Sequence, residues 1–450
     1  MKVLLIFPPQ TLKERYGHDV GNVGGFLPPL GLCYMAAVLE KDGHDVHILD
    51  CPVNNYGAGD IATEISTFEP DVIGIAAITS LANVTKELCD FIKRQFPQIT
   101  IILGGPHATV MPEELSKDKN IDIIIRNEAD NIICDVLKNI DSYKEQRIVD
   151  GGKVKNLDLL PYPARHLLDM QKYTSMANTY KTSPQVFQVV TSRGCPFTCT
   201  FCFDAKGFFR QRSVANVMTE IRMLKEKYNV KELAFWDDIL TMNKNWTYEF
   251  CKEMEKENLV WSCYTRLDLI DENLLKAMKK AGCWNIFFGI EAGSQKLLDI
   301  MTKKMTVEQM RNAVKLVKKV GIEIRGSFML GLPGETPELA RETIKFAIEL
   351  DPDYAQFSLT TPYPGTQLWS TYEQYGTLDK NALDEYHGWL PVFVPHGYKS
   401  KEELISMQKE AFTKFYKRPK YILKRAAKIR NINDIKRNLK GMKMVNAFMK

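Results

Sequence analysis

Residues 191–202 read Thr191-Ser192-Arg193-Gly194-Cys195-Pro196-Phe197-Thr198-Cys199-Thr200-Phe201-Cys202 and close an apolar run that starts at Val186. Three cysteines spaced CxxxCxxC among Gly, Pro and Thr do not form the pattern of thiols packed in a core. Three thiolates on so short a loop can hold three irons of a [4Fe–4S] cluster and leave the fourth iron open. A structural zinc site wants a fourth protein ligand, and none is adjacent. The run before the triad is the first of six strand candidates, at 186–191, 232–236, 261–265, 285–290, 323–330 and 354–359, joined by helical patterns. That alternation predicts a parallel barrel, complete or incomplete, with its functional loops at the C-terminal ends of the strands. The triad lies on the first such loop.

Upstream, apolar runs at 2–7, 46–49, 72–78, 99–103 and 121–125 alternate with helical patterns at 31–41, 61–67, 84–94, 112–115 and 132–140. Near-continuous Val/Ile strands separated by helices predict a parallel sheet covered on both faces, a doubly wound α/β domain. Its ligand would sit beyond the strand C-termini. Those ends carry Pro8-Pro9, Thr79-Ser80, Gly104-Gly105-Pro106-His107 and Asn127-Glu128, and the stretch 21–31, GNVGGFLPPLG, also follows the first strand. Small, backbone-exposing loops of this kind suit a large flat ligand. No GxGxxG follows the first strand, which argues against a nicotinamide.

The 450 residues, 45% hydrophobic and 26% charged, are enough for two or three domains. The expected division is 1–150 for the doubly wound domain, 151–185 for a connector, 186–375 for the barrel and 376–450 for a helical C-terminal region. No run of about 18 apolar residues is present to span a membrane. The N-terminus, MKVLLIFPPQ, reads as a first strand and not as a signal peptide. Ten cysteines without a secretion signal point to a reducing, cytoplasmic setting. Outside the triad, Cys33, Cys89, Cys134, Cys251, Cys263 and Cys283 fall among apolar neighbours and read as packing; Cys51 follows the second strand. From Lys414 onward there are thirteen Lys/Arg and one acid, Asp434, so the rest of the chain is net negative. Ile422, Ala426, Ile429, Ile432, Ile435, Leu439 and Met442 recur there every three or four residues. This stripe is open to two readings: a helix packed on the barrel with a solvated basic face, or a helix on the inner face of a membrane, drawn to anionic lipid. Sparse aromatics argue against nucleic acid.

The triad with Phe201 before its last cysteine resembles the radical S-adenosylmethionine (SAM) signature. The resemblance continues in order through Phe235-Trp236-Asp237-Asp238, Arg266-Leu267-Asp268, Gly289-Ile290-Glu291-Ala292-Gly293-Ser294 and Gly331-Leu332-Pro333-Gly334-Glu335-Thr336. Residues 28–32, Pro-Pro-Leu-Gly-Leu, and 104–107, Gly-Gly-Pro-His, resemble the cobalamin-binding domain that precedes such barrels. The chain is thus similar, over about residues 1–370, to the cobalamin-binding radical SAM enzymes, the class B methylases.

The resemblance implies that Cys195, Cys199 and Cys202 hold a [4Fe–4S] cluster whose open iron chelates SAM. Phe201 would lie against the adenine, Asp238 accept from the SAM ammonium, Glu291 reach the ribose, and Arg325 pair with the SAM carboxylate. Gly331 and Leu332 would offer backbone to the adenine edge. Pro29, Leu30, Thr79, Ser80, Gly104, Gly105, His107 and Glu128 would contact cobalamin. No DxHxxG motif is present, so cobalamin is expected base-off with no histidine on cobalt. The loop Arg126-Asn127-Glu128-Ala129-Asp130 departs from the glycine-flanked acidic loop of relatives but keeps Glu128. Tyr264 and Tyr363 are candidates for proton or hydrogen-bond roles near a substrate lined by 360–364.

The implied function is an oxygen-sensitive C-methylation of an unactivated carbon through methylcobalamin, on a small-molecule or lipid-like substrate, with an electron donor of flavodoxin or ferredoxin type. The alternatives are a radical cyclisation, rearrangement or hydroxylation with the same cofactors, and a non-catalytic cluster- or cobalamin-binding accessory protein. Methylthiotransferases share the triad but carry further N-terminal cluster cysteines, and no such grouping is present.

Overall fold

The computed structural model describes residues 1–203 and 205–449. The chain divides into two compact units: 1–15, 26–173 and 381–387 form the first, and 16–25, 174–380 and 388–450 the second. In the first unit the strands are β1 (Lys2–Phe7), β2 (Asp45–Asp50), β3 (Val72–Ala76), β4 (Thr100–Gly104), β5 (Ile123–Arg126) and β6 (Ile148–Asp150). All pair parallel in the order β2-β1-β3-β4-β5-β6. Successive side chains of a strand point to opposite faces, so each strand feeds two cores. Leu4, Ile6, Ile73, Ile75, Ile101 and Leu103 pack with Ile61, Ile65, Leu88 and Ile92, which come from helices α2 (Ala58–Phe68) and α3 (Ala82–Gln95). Val3, Leu5, Val46, Ile102 and Ile123 pack with Ala36 and Leu39 of α1 (Leu30–Lys41) on the other face. The sequence pattern predicts the first five strands. The sixth, Ile-Val-Asp, is too short to give a periodic signal.

The second unit's sheet is β7 (Phe187–Val189), β10 (Glu232–Phe235), β11 (Val260–Thr265), β12 (Cys283–Glu291), β13 (Glu323–Leu330) and β14 (Tyr354–Leu359). It is parallel throughout and ordered β14-β13-β12-β11-β10-β7, a six-stranded partial (β/α) barrel. Helices α4 (Val214–Tyr228), α5 (Lys244–Glu257), α6 (Glu272–Lys280), α7 (Val307–Val320) and α8 (Pro337–Leu350) connect the strands. The first strand is shorter than its apolar run: Ser192–Arg193 (β8) leaves it to pair antiparallel with Arg210–Gln211 (β9), which pins both ends of the cysteine loop. Cys251, Cys263 and Cys283 are buried, as apolar packing requires.

After β14, strands β15 (Gly376–Leu378) and β16 (Phe393–Pro395) pair antiparallel, and the helices α9 (Lys401–Tyr416), α10 (Pro419–Ala427) and α11 (Ile432–Met449) follow. The basic residues of these helices do not all face solvent. Arg425 donates to the Tyr354 hydroxyl at 2.6 Å, and Lys428 pairs with Glu323 at 3.0 Å and with Asp353. Arg437 donates to the Tyr180 carbonyl at 3.1 Å. The N-terminal ends of β13 and β14 therefore bind the tail through ions. The apolar stripe is not packed on the barrel: Ile432, Leu439 and Met442 are exposed. The reading of a helix packed by its apolar face is inverted, because the strand ends present Glu323 and Asp353, which select arginine and lysine.

Candidate active site

Each parallel sheet gathers its chemistry at the C-terminal ends of its strands. In the second unit the loop after β7 carries the triad, with Cys199 buried and Cys195 and Cys202 half-buried. Backbone bonds shape the loop: Lys206 N–H donates to the Phe197 carbonyl at 2.7 Å and Gly207 N–H to the Cys195 carbonyl at 2.8 Å. Gly194 sits at φ +86, where a Cβ would run into the Phe208 carbonyl. Among the described residues no three His, Cys, Asp or Glu side chains converge as ligands of a single ion. A cubane that takes one thiolate on each of three irons makes no such demand.

A cation stands beside the triad. The Arg266 guanidinium lies 3.9 Å from Cys199 Sγ and 3.7 Å from the centre of the Phe197 ring. It is buried and held by a fork to Asp268 (3.0 and 2.9 Å) and by the Lys303 carbonyl (2.9 Å). A fixed positive charge next to soft thiolate donors fits an anionic thiolate-bound cluster. Burial raises the Cys195 thiol's pKa, with the Asp238 carboxylate adding to it and Arg266 opposing it. A metal would supply the missing compensation. Sequence patterning picks out Arg266 within a motif but gives it no role, because Cys199 and Lys303 lie 67 and 37 residues away in the chain.

The other expected SAM contacts are placed as follows. Asp238 is exposed past the end of β10, within electrostatic reach of Cys195. Its neighbour Asp237 is buried, and its Oδ1 accepts from the amides and hydroxyls of Thr191 and Ser192, fixing the strand that leads to the triad. Desolvation raises its pKa. Glu291, at φ +68, forms a buried ion pair with Lys303 at 2.8 Å and folds back over Gly289, where any side chain would strike its carboxylate. Gly331 N–H donates to Glu335 Oε1 at 2.6 Å, so this amide is engaged within its own turn. Burial pushes the Glu335 carboxyl up to about 7. Phe201 is half-buried.

Arg325 stands apart from these groups, three residues into β13. It donates to Asn285 Oδ1 at 2.8 Å and lies 5.4 and 5.0 Å from the Tyr264 and Phe287 rings. Tyr264 in turn meets Trp236 at 5.8 Å between ring centres. The structure thus places Arg325 against Asn285 and beside two aromatic side chains. Tyr363 follows β14, with burial pushing its phenol up to about 12.

The C-terminal edge of the first unit's sheet has a different chemistry. The strand order reverses between β1 and β3, the switch point where doubly wound sheets bind ligands. Thr79 and Ser80 follow β3, and Gly105, at φ +109, follows β4 with its Cα against the Ala77 carbonyl; a Cβ would approach that oxygen to 2.9 Å. No atom comes within 4 Å of where a Gly104 Cβ would stand, so the backbone is open at that point. His107 is buried with its Nδ1 3.3 Å from Thr79 Oγ1, and burial pulls its pKa down to about 4, so the ring is neutral. Pro29 caps α1 and Leu30 begins it. Glu128 Oε2 accepts from the Val154 N–H at 2.7 Å. The open glycine position and the neutral histidine fit a broad macrocycle that lies against backbone.

Comparison with known proteins matches these two halves. A B12 binding domain model matches residues 18–137 and a radical SAM superfamily model matches residues 189–347. An uncharacterised methyltransferase of Pyrococcus horikoshii is 34% identical over 445 residues, 94% of each chain. An anaerobic magnesium-protoporphyrin IX monomethyl ester cyclase of Rubrivivax gelatinosus is 29% identical, over 92% of this chain and 77% of that one. The fold is shared with the radical SAM methyltransferase TsrM of Kitasatospora setae, solved with cobalamin and a [4Fe–4S] cluster bound. That match has a TM-score of 0.70 and 16% identity, over 99% of this chain and 98% of that one.

Proposed function

The chain belongs to the cobalamin-binding radical SAM enzymes, and on that premise we propose that it methylates an unactivated carbon of an apolar small molecule or lipid. When bound, the cluster, SAM and cobalamin supply one electron, a 5′-deoxyadenosyl radical and a methyl group. Cys195, Cys199 and Cys202 hold three irons, and Arg266 offsets the charge of Cys199. Asp238 accepts from the SAM ammonium. The Glu291 carboxylate, held by Lys303, offers its other oxygen to the ribose. Phe201 lies against the adenine. Pro29, Leu30, Thr79, Ser80, Gly104, Gly105, His107 and Glu128 would hold cobalamin, base-off, with His107 kept on Thr79 and not on cobalt. Residues 1–150 form the cobalamin-binding part, 151–185 the connector, 186–375 the radical SAM part and 376–450 the helical end. An electron donor of flavodoxin or ferredoxin type completes the system. The aromatic group Trp236, Tyr264 and Phe287 supports an apolar or aromatic substrate.

The observation that carries this reading is the buried Arg266 cation at 3.9 Å from Cys199, on a loop with two further thiols. The test supplies SAM with a deuterated methyl group to the anaerobically loaded protein and a cell extract. Methylation places the label in an extract-derived product. The resemblance to the Rubrivivax gelatinosus cyclase favours a second reading, radical cyclisation, in which deoxyadenosine accumulates and no label is transferred.

A further inference from the structure

The helix α11 is amphipathic in the reverse sense of an ordinary packed helix. Its inward face carries Arg437 and Phe448, both buried, with Gly441 and Met444 between them, and Gly441 lies against Ala177. Its opposite face carries Ile432, Ile435, Leu439 and Met442, which are 70, 43, 54 and 61% exposed. The spacing of these four, three or four residues apart, makes one stripe about 15 Å long. On α10, Ile422 and Leu423 are also exposed, at 55 and 70%.

The cations divide in the same way. Arg418, Lys424, Arg425 and Lys428 are paired with acids of the barrel, and Arg437 donates to the Tyr180 carbonyl. Lys420, Arg430, Lys436, Lys440 and Lys443 are exposed, and no described acid forms an ion pair with them. Asp434, the single acid of the tail, is engaged by Arg437 at 3.3 Å. By helical periodicity Lys436, Lys440 and Lys443 run along one side of the apolar stripe.

We propose that this face of α11 docks on an anionic lipid surface, the helix lying in the plane of the interface. Its four apolar side chains enter the headgroup–acyl boundary, and the lysines reach the phosphates. Charge decides the occupant. A second copy of this chain would bring two unpaired lysine rims together, and the stripe has no aromatic side chain on which bases could stack. No helix among the described residues is long and apolar enough to cross a membrane, so the contact is peripheral.

The test sediments the full chain with vesicles of phosphatidylcholine alone and with phosphatidylglycerol added, at low salt and at about 0.5 M salt. The chain should pellet with the anionic vesicles only, and release at high salt. Reversal of Lys436, Lys440 and Lys443 to Glu should return binding to background, because each lysine near the surface is worth about fivefold in partitioning. The doubly substituted Ile435→Gln/Leu439→Gln chain should also stay in the supernatant; both positions are exposed, so circular dichroism should match the parent. A parent that stays in the supernatant at low salt overturns the proposal, as does equal binding to neutral vesicles. A dimer in light scattering that Ile435→Gln/Leu439→Gln dissociates also overturns it, in favour of a second copy. None of these readouts depends on SAM cleavage, so the docking face stands or fails separately from the catalytic reading.

Discussion

The two parallel sheets present opposite chemistries at the same topological place, the C-terminal ends of their strands. The first unit's edge at β3 and β4 is made of backbone and small side chains, with a histidine that burial keeps neutral. The second unit's edge is crowded with buried ionisable groups: Asp237, Arg266, the Glu291–Lys303 pair and Glu335. Buried ions are expensive to desolvate and persist where partners or ligands compensate them. A neutral glycine edge suits a broad macrocycle approached face-on, and a charged edge suits a zwitterion and an anionic cluster. Architecture alone therefore does not set what a parallel sheet binds; the residues that end its strands do.

The difference predicts that lesions on the two edges separate cleanly. The largest effect is expected from Cys199→Ala, which should abolish iron loading and reduce 5′-deoxyadenosine to background while the purified chain still binds cobalamin. Loss of both cofactors together would break the comparison. Next is Arg266→Gln, which removes the cation beside Cys199 but leaves all three thiols. Iron content should stay close to the parent, the cluster's midpoint potential should fall, and SAM cleavage should drop by about 10²-fold. A potential equal to the parent's would make Arg266 a packing residue only.

On the neutral edge, Gly105→Ala meets both a positive φ and the Ala77 carbonyl, for a cost of about 1–3 kcal/mol. Cobalamin affinity should weaken while deoxyadenosine formation without cobalamin persists, measured by absorbance titration and product assay. The smallest effect is expected from His107→Gln. The His107 pKa is about 4 in the folded chain and 6.5 unfolded, so between those values the unfolded chain takes up a proton that the folded chain does not. Its stabilising contribution is complete above pH 6.5 and is lost as the pH falls toward 4. The buried Asp50, pushed up to about 6 from 3.8, works in the opposite sense over nearly the same range. The informative quantity is then the difference in denaturation free energy between parent and variant, which should narrow from pH 7 to pH 4. The cobalamin spectrum of the variant should match the parent, since no cobalt ligand is lost.

The extent to which the fold is legible in the sequence follows from how local each signal is. The strand 2–7 carries the continuous apolar run Val3–Phe7, which only a sheet covered on both faces uses, and it lies where the pattern puts it. The three-residue β6 and the β8–β9 ribbon are set by partners far along the chain, and their sequences carry no period. The cysteine triad is a twelve-residue signal and is complete by itself. The Arg266–Cys199 approach and the Glu291–Lys303 pair join segments that only the fold brings together. The tail shows both limits. Its amphipathic spacing is readable, but which face turns inward depends on Glu323, Asp353 and Tyr354 at the strand ends, some 70 to 105 residues upstream.

The central claim is that one chain couples a radical-generating edge to a cobalamin-binding edge for methyl transfer. The most direct measurement takes the anaerobically reconstituted protein with cobalamin, SAM, a strong reductant and a fractionated cell extract, and quantifies 5′-deoxyadenosine and S-adenosylhomocysteine together. Methyl transfer predicts nearly equal amounts of both, rising with the active fraction and falling to background in Cys199→Ala. Deoxyadenosine without S-adenosylhomocysteine, or neither product from protein fully loaded with iron and cobalamin, would contradict it.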